Sequence, residues 1–297
     1  MANQKMAEQM GTSAGFVAAL DQSGGSTPKA LAAYGVSSDA YANDDEMFDL
    51  IHDMRCRIVN APAFTGDKIV GAILFEMTMD REINGKPSAR FLWEDRGVVP
   101  FLKIDKGLMD EADGVQLMKP MDHLDTVLPR AASYDVFGTK ARSVINSANP
   151  VGIAAIIDQQ FAEGKRVLAH GLVPMLEPEI NITIPDKAKA EDILRDETLK
   201  HLDQLGPDEI VVLKLTLPEV PNIYEPLVNH PNVMRVVALS GGYSRTDANA
   251  RLAQNKGVIA SFSRGLTEGL TADQSDAAFG KALSDAIDDI YAASVAG

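Results

Sequence analysis

Cysteine is nearly missing from this chain. The single thiol, Cys56, excludes a disulfide framework and a cysteine-held zinc cluster, and its setting suits a small buried helix residue. Histidine is sparse too. His52, His123, His170, His201 and His230 are scattered, and only His170 falls in a run that reads as strand. A histidine-rich metal centre is therefore not expected, and no cofactor is expected either. No apolar run approaches the length of a membrane span. The polar segment from Met1 to Met10 lacks the apolar core of a secretory signal, so a cytoplasmic protein is expected. Basic charge is in deficit, 28 Lys and Arg against 42 Asp and Glu, for a net charge of −14. That balance argues against nonspecific nucleic-acid binding and against attachment to anionic membranes. An anionic small-molecule substrate would need a local cationic funnel, which Lys103, Lys106, Lys140, Arg142, Lys214 and Arg264 could build.

What is present is a large apolar fraction, 45% of 297 residues, and one anomaly within it. Ile210-Val211-Val212-Leu213 runs into Lys214 and continues as Leu215-Thr216-Leu217. Runs this rich in branched residues are typical of strands buried on both faces of a parallel sheet. An ammonium group there is costly to desolvate unless it pairs or loses its proton, and such amines can form Schiff bases with carbonyl compounds. The plainer reading places Lys214 at a frayed strand end, with its head in solvent. Its company weighs against that. Stepping back 37 residues at a time reaches Glu177, Lys140 and Lys103, each following or interrupting an apolar stretch. The intervening sequences are dissimilar, so the recurrence is one of architecture, the length of one strand, one helix and two loops.

Eight β-prone runs can be counted, at residues 16–20, 69–75, 98–104, 134–139, 166–176, 209–215, 233–239 and 257–262. Helical periodicity follows Asp44-Asp45-Glu46 through Ile58, Asn149-Pro150 through Phe161, and Pro185-Asp186 through Leu205. Further helices begin at Thr246 and at Thr271, the last running toward Ala293. Alternation of eight strands with helices, without a flexible linker, predicts one α/β domain over residues 1–297, a single (β/α)8 TIM barrel. The segment from Asp80 to Asp95 is long and polar for a plain connection. Helix faces carry no pattern that sets an oligomeric state.

Barrel chemistry sits at the C-terminal ends of the strands. Asp21, Lys103, Lys140, Glu177 and Lys214 fall there. So do two Gly-rich loops, Ser240-Gly241-Gly242 and Ser263-Arg264-Gly265, where barrels commonly hold phosphate. Ser23-Gly24-Gly25-Ser26 offers a second cradle, with Lys103 in reach. Each Gly-rich segment alone reads equally well as a turn, but two cradles flanking lysines and a glutamate suggest a bisphosphate. Lys214 is then the nucleophile, with Lys140 close enough to repel its proton. Glu177 relays protons or, on the plainer reading, merely forms a salt bridge to one lysine. Glu179, on the same strand face, orients the network, and Asp21 accepts a hydroxyl proton.

These residues resemble a known family. Ala19-Leu20-Asp21-Gln22-Ser23-Gly24-Gly25-Ser26, Phe101-Leu102-Lys103-Ile104-Asp105-Lys106-Gly107, Lys140-Ala141-Arg142, Leu176-Glu177-Pro178-Glu179, Val212-Leu213-Lys214 and Leu239-Ser240-Gly241-Gly242 are similar to class I fructose-1,6-bisphosphate aldolases. The resemblance spans roughly residues 16–266, in the family's order. It implies that Lys214 forms the Schiff base with the ketose carbonyl and that Glu177, assisted by Lys140, is the general acid/base of carbinolamine dehydration. It implies that Asp21 handles the C4 hydroxyl during carbon–carbon cleavage and that Glu179 holds the network. One phosphate would meet Ser240, Gly241, Ser261 and Arg264, the other Ser23, Ser26, Lys103 and Arg142. Three departures stand out. The animal-type C-terminal tail ending in tyrosine is missing, as in the short bacterial form, and Tyr291 sits inside the last helical pattern. Gln22 replaces an acidic residue, and Ala30, beside Lys29, replaces an arginine. Two rival readings stay open: a related Schiff-base aldolase for tagatose 1,6-bisphosphate, and a noncatalytic barrel that binds phosphosugars.

Overall fold

The computed structural model describes residues 4–297. Eight parallel strands carry the architecture: β1 (Phe16–Leu20), β2 (Ile69–Leu74), β3 (Val99–Lys103), β4 (Gly138–Ile145), β5 (Val173–Ile180), β6 (Val211–Thr216), β7 (Val233–Leu239) and β8 (Val258–Phe262). Their order in the sheet is β3-β2-β1-β8-β7-β6-β5-β4, and a β3–β4 pairing closes it into a barrel. The helices are α1 (Gln4–Thr12), α2 (Thr27–Ala33), α3 (Asp44–Asn60), α4 (Ser88–Arg96), α5 (Leu124–Ser133), α6 (Pro150–Ala169), α7 (Lys187–Leu202), α8 (Arg245–Leu252) and α9 (Asp276–Ala296). Single helical turns follow β2, β6 and β8, at Glu76–Met79, Glu225–Val228 and Arg264–Thr267. No helix among the described residues is long and apolar enough to cross a membrane.

Period-two alternation sorts each strand between two cores. On β6, Val211, Leu213 and Leu215 join the outer cluster packed against the helices, while Val212 points into the barrel beside Val17, Val99, Phe101, Phe137, Met175, Val237 and Ile259. Lys214 lies two residues beyond Val212, so alternation sends it inward as well. Phe101 and Phe137 meet edge to face, with ring centroids 5.5 Å apart, and fill the middle of the barrel. Gly138 makes this possible, because a Cβ there would lie 2.2 Å from the Val173 carbonyl oxygen and 2.8 Å from the Phe101 ring. Helix α1, which the sequence pattern did not disclose, closes the bottom by inserting Met6 and Met10 into the same interior cluster.

Two strand boundaries differ from expectation, with consequences for the site. The fourth run was expected at 134–139, yet Tyr134 ends α5 and β4 extends through Ile145. The fifth was expected at 166–176, but Arg166–Ala169 is the last turn of the 20-residue α6, and Gly171 turns the chain with φ 74°. Helix α6 begins as expected, with Pro150 in its first turn and Asn149 accepting from the Val151 amide at 3.0 Å. His170 therefore caps a helix instead of lying in a strand. The two errors have different causes: the apolar end of α6 reads as a continuation of β5, and beyond Thr139 the mouth end of β4 interleaves charged and polar residues with apolar ones. The 80–95 segment folds as a two-residue hairpin, Glu82–Ile83 with Lys86–Pro87, followed by α4. The final helix starts at Asp276, capped by Ser275, rather than at Thr271. Cys56 lies on α3 as expected, half-buried instead of buried.

Candidate active site

The mouth of the barrel holds a cavity of about 520 Å³, ringed by the ends of the strands. Its floor is a chain of charges from four strands, with Asp21 just past β1 and Lys140, Glu177 and Lys214 within β4, β5 and β6. Lys140 Nζ sits 2.8 Å from Asp21 Oδ2 and 2.6 Å from Glu177 Oε2, and Lys214 Nζ sits 2.9 Å from Glu177 Oε1. All four side chains are nearly inaccessible, with Lys214 4% exposed and Lys140 and Glu177 3% each. The frayed-end reading of Lys214 is thus excluded: the lysine is inside. Lys140 and Lys214, expected close enough for like-charge repulsion, share one carboxylate, with one Glu177 oxygen for each ammonium.

Burial and charge compete at every member of this chain. Burial would push the Glu177 carboxyl up, but Lys140 and then Lys214 outweigh it, and the group is held below its ordinary range. Burial opposes ionisation of Asp21 also, and Lys140, Lys214 and Lys103 together hold it well below the usual carboxylate range. Lys140 goes the other way. Its burial penalty is overcome by Asp21, Glu177 and Asp105, so it stays protonated far above neutral pH.

Around this floor the cavity walls sort the remaining cations into paired and unpaired. Lys103 is neutralised by Asp105, whose Oδ1 it reaches at 2.7 Å. Arg142 is neutralised by Glu179 across the β4–β5 pair, and burial is again the largest influence on its guanidinium, outweighed by that glutamate. Lys106 pairs with Glu76. Arg264 and Lys29 also line the cavity, and no carboxylate partner is seen for either among the described residues. Ser26, Ser240, Gly241 and Ser261 line the cavity as expected, but Ser23 does not. Gly241 and Gly242 adopt φ of 60° and 125°, left-handed backbone that favours glycine. Lys29 was noticed in the sequence only as the neighbour of Ala30. Its inward placement comes from α2, three residues after Ser26, and no sequence motif marks it. Among the described residues, no three His, Cys, Asp or Glu side chains are arranged to hold a metal ion.

A parallel barrel that buries a lysine–carboxylate chain under its mouth is equipped for Schiff-base chemistry on carbonyl compounds, as a lyase of the (β/α)8 class requires. The comparisons refine this. The family model described as glycolytic, fructose-bisphosphate aldolase class-I, matches residues 3–213. The class 1 fructose-bisphosphate aldolase of Synechocystis sp. is 56% identical over 99% of this chain and 98% of its own length. That of Porphyromonas gingivalis is 57% identical over 99% of both. The chain belongs to the class I fructose-bisphosphate aldolase family. Among solved structures, the Plasmodium falciparum aldolase matches with TM-score 0.75 and 18% identity, covering 98% of this chain and 93% of that one, a likeness of fold.

Proposed function

We propose that this chain, as one barrel domain in the cytoplasm, reversibly cleaves fructose 1,6-bisphosphate to dihydroxyacetone phosphate and glyceraldehyde 3-phosphate through an imine on Lys214. The observation that carries the reading is the Glu177 carboxylate shared between Lys214 and Lys140 on the cavity floor. The Lys214 ammonium passes a proton to Glu177 and attacks the C2 carbonyl as the neutral amine, a second nitrogen proton moving to the carbonyl oxygen to give the carbinolamine. With the lysine's charge gone, the glutamate's proton affinity rises so that it holds this proton, then gives it to the departing hydroxyl as water leaves and the iminium forms. Asp21 accepts the C4 hydroxyl proton. The C3–C4 bond breaks, its electron pair moves into the iminium to give an enamine, and glyceraldehyde 3-phosphate departs. Protonation of the enamine at C3 and addition of water to the iminium release dihydroxyacetone phosphate and free Lys214.

Lys140 stays charged throughout and links Asp21 to Glu177, the two proton-handling groups. Ser240, Gly241, Ser261 and Arg264 receive one phosphate. Ser26 receives the other, with Ser23, Lys103 and Arg142 nearby, and Lys29 adds an unneutralised cation on that side. Borohydride trapping with dihydroxyacetone phosphate in EDTA, followed by peptide mass spectrometry, tests the reading. A reduced three-carbon adduct on Lys214 is expected. Sugar-phosphate binding without any adduct would leave a noncatalytic barrel.

A further inference from the structure

Behind the first strand's end lies a buried cation that the mechanism does not use. Arg55, on α3, is 2% exposed, and no carboxylate lies within ion-pair reach of it among the described residues. Its Nη2 donates to the Gln22 backbone oxygen at 2.6 Å and reaches the Gln22 side-chain oxygen at 3.4 Å. Its Nη1 donates to Thr78 Oγ1 at 2.6 Å, on the helical turn after β2. The Gln22 amide in turn donates to Ser263 Oγ at 2.6 Å. One guanidinium therefore laces together three successive loops, those after β8, β1 and β2. Burial draws its pKa down to about 10, so it is still a cation at neutral pH.

Burying a guanidinium without a carboxylate partner is costly, and a neutral residue could fill the space. What the charge provides is a firm hold on two acceptors of Gln22 at once, since charge-assisted hydrogen bonds are stronger and more directional than neutral ones. Gln22 follows Asp21 directly, and Ser263 precedes Arg264 directly. The amide at position 22 accepts from Arg55 and donates to Ser263 together, so one side chain carries both halves of the link.

We propose that Arg55 is a positioning residue which, through Gln22 and Ser263, sets the Arg264 anion loop against Asp21 for binding of the bisphosphate. The inference rests on the function proposed above. The first variant is Gln22→Ala, which leaves Arg55 its backbone and Thr78 partners and so spares the fold. Losing one net hydrogen bond of about 1 kcal/mol corresponds to about a fivefold change in a binding constant. A rise of about fivefold is expected in both KM for fructose 1,6-bisphosphate and Ki for inorganic phosphate, with kcat within about twofold. Ser263→Ala should match it, and the double variant should be no worse than either single one. Arg55→Met, where it folds, should raise both constants by at least as much. Wild-type KM and Ki in both single variants, additive effects in the double variant, or wild-type constants in a folded Arg55→Met enzyme would each overturn the brace. Borohydride trapping on Lys214 in the same variants keeps the two readings apart. Its absence in the wild type sinks the function, whereas its retention with unchanged KM and Ki sinks only the brace.

Discussion

Three lysines in this barrel are buried against carboxylates, in two separate networks, and the one at the barrel mouth faces a cavity. On the outer side of the barrel, Lys187 of α7 meets Glu191 at 2.5 Å and the Leu217 carbonyl oxygen at 2.8 Å. Glu191 is spent completely, its oxygens also taking the Glu219 amide at 3.1 and 3.2 Å. At the mouth, Glu177 is equally buried but serves two ammoniums, one through each oxygen. Their acidities move in opposite directions. Burial pushes Glu191 up and its one lysine does not fully compensate, whereas two lysines pull Glu177 down despite burial. Burial of a charge pair is thus a poor sign of catalysis by itself. A carboxylate shared by two lysines and facing a cavity is the better one.

Four experiments break or sharpen that contrast. Replacing the nucleophile should have the largest effect: Lys214→Met should lower kcat by about 10⁴-fold or more, the scale seen when a covalent nucleophile is removed. The fold should survive, because Lys140 still pairs with Glu177. Circular dichroism and loss of the borohydride adduct check this together, and retained turnover would reassign the nucleophile. Lys187→Met should do the reverse. Stranding Glu191 should cost about 3–5 kcal/mol in urea unfolding while leaving kcat within a few-fold. A collapse of kcat in the folded variant would erase the distinction between the two networks.

The third experiment is a titration. A carboxyl whose folded pKa lies below its unfolded value stabilises the fold above the unfolded pKa, and that contribution is lost as pH falls through the folded one. Asp21 is of this kind. The stability difference between wild type and Asp21→Asn should therefore be full at neutral pH and shrink as pH drops below about 4. Glu191, displaced upward, should take its proton earlier in the same titration. Carboxyl chemical shifts showing Asp21 protonated before Glu191 would contradict the electrostatic picture. Smallest of all, Lys29→Ala should raise KM for fructose 1,6-bisphosphate by about threefold with kcat unchanged, the loss expected of one exposed cation at an anion site. An unchanged KM would leave Lys103 and Arg142, despite their own carboxylates, to meet that phosphate.

Much of this was legible beforehand, for identifiable reasons. Branched apolar residues located eight strands, and β1 and β7 fell at the expected boundaries. Asp21, Lys140, Glu177 and Lys214 were each conspicuous as a charge at the end of an apolar run, and they are the four residues brought together on the cavity floor. Where strands continued into charged residues, as in β4 and β5, the ends were misplaced, because residues facing a wet mouth need not be apolar. Helix α1 escaped notice because only Met6 and Met10 of its residues are buried, too few to set a period.

The sequence alone determined which side chains share a strand face: alternation is local, and it puts Lys214 on the face of Val212 wherever β6 lies. It could not determine partners. Lys103 and Arg142 read as free cations for phosphate until the fold set Asp105 and Glu179 against them. Gln22 and Ser263 stand 241 residues apart and still share a hydrogen bond, because closure of the sheet puts β8 beside β1. Pairing between charges depends on distances across strands, and those exist only once the barrel has closed.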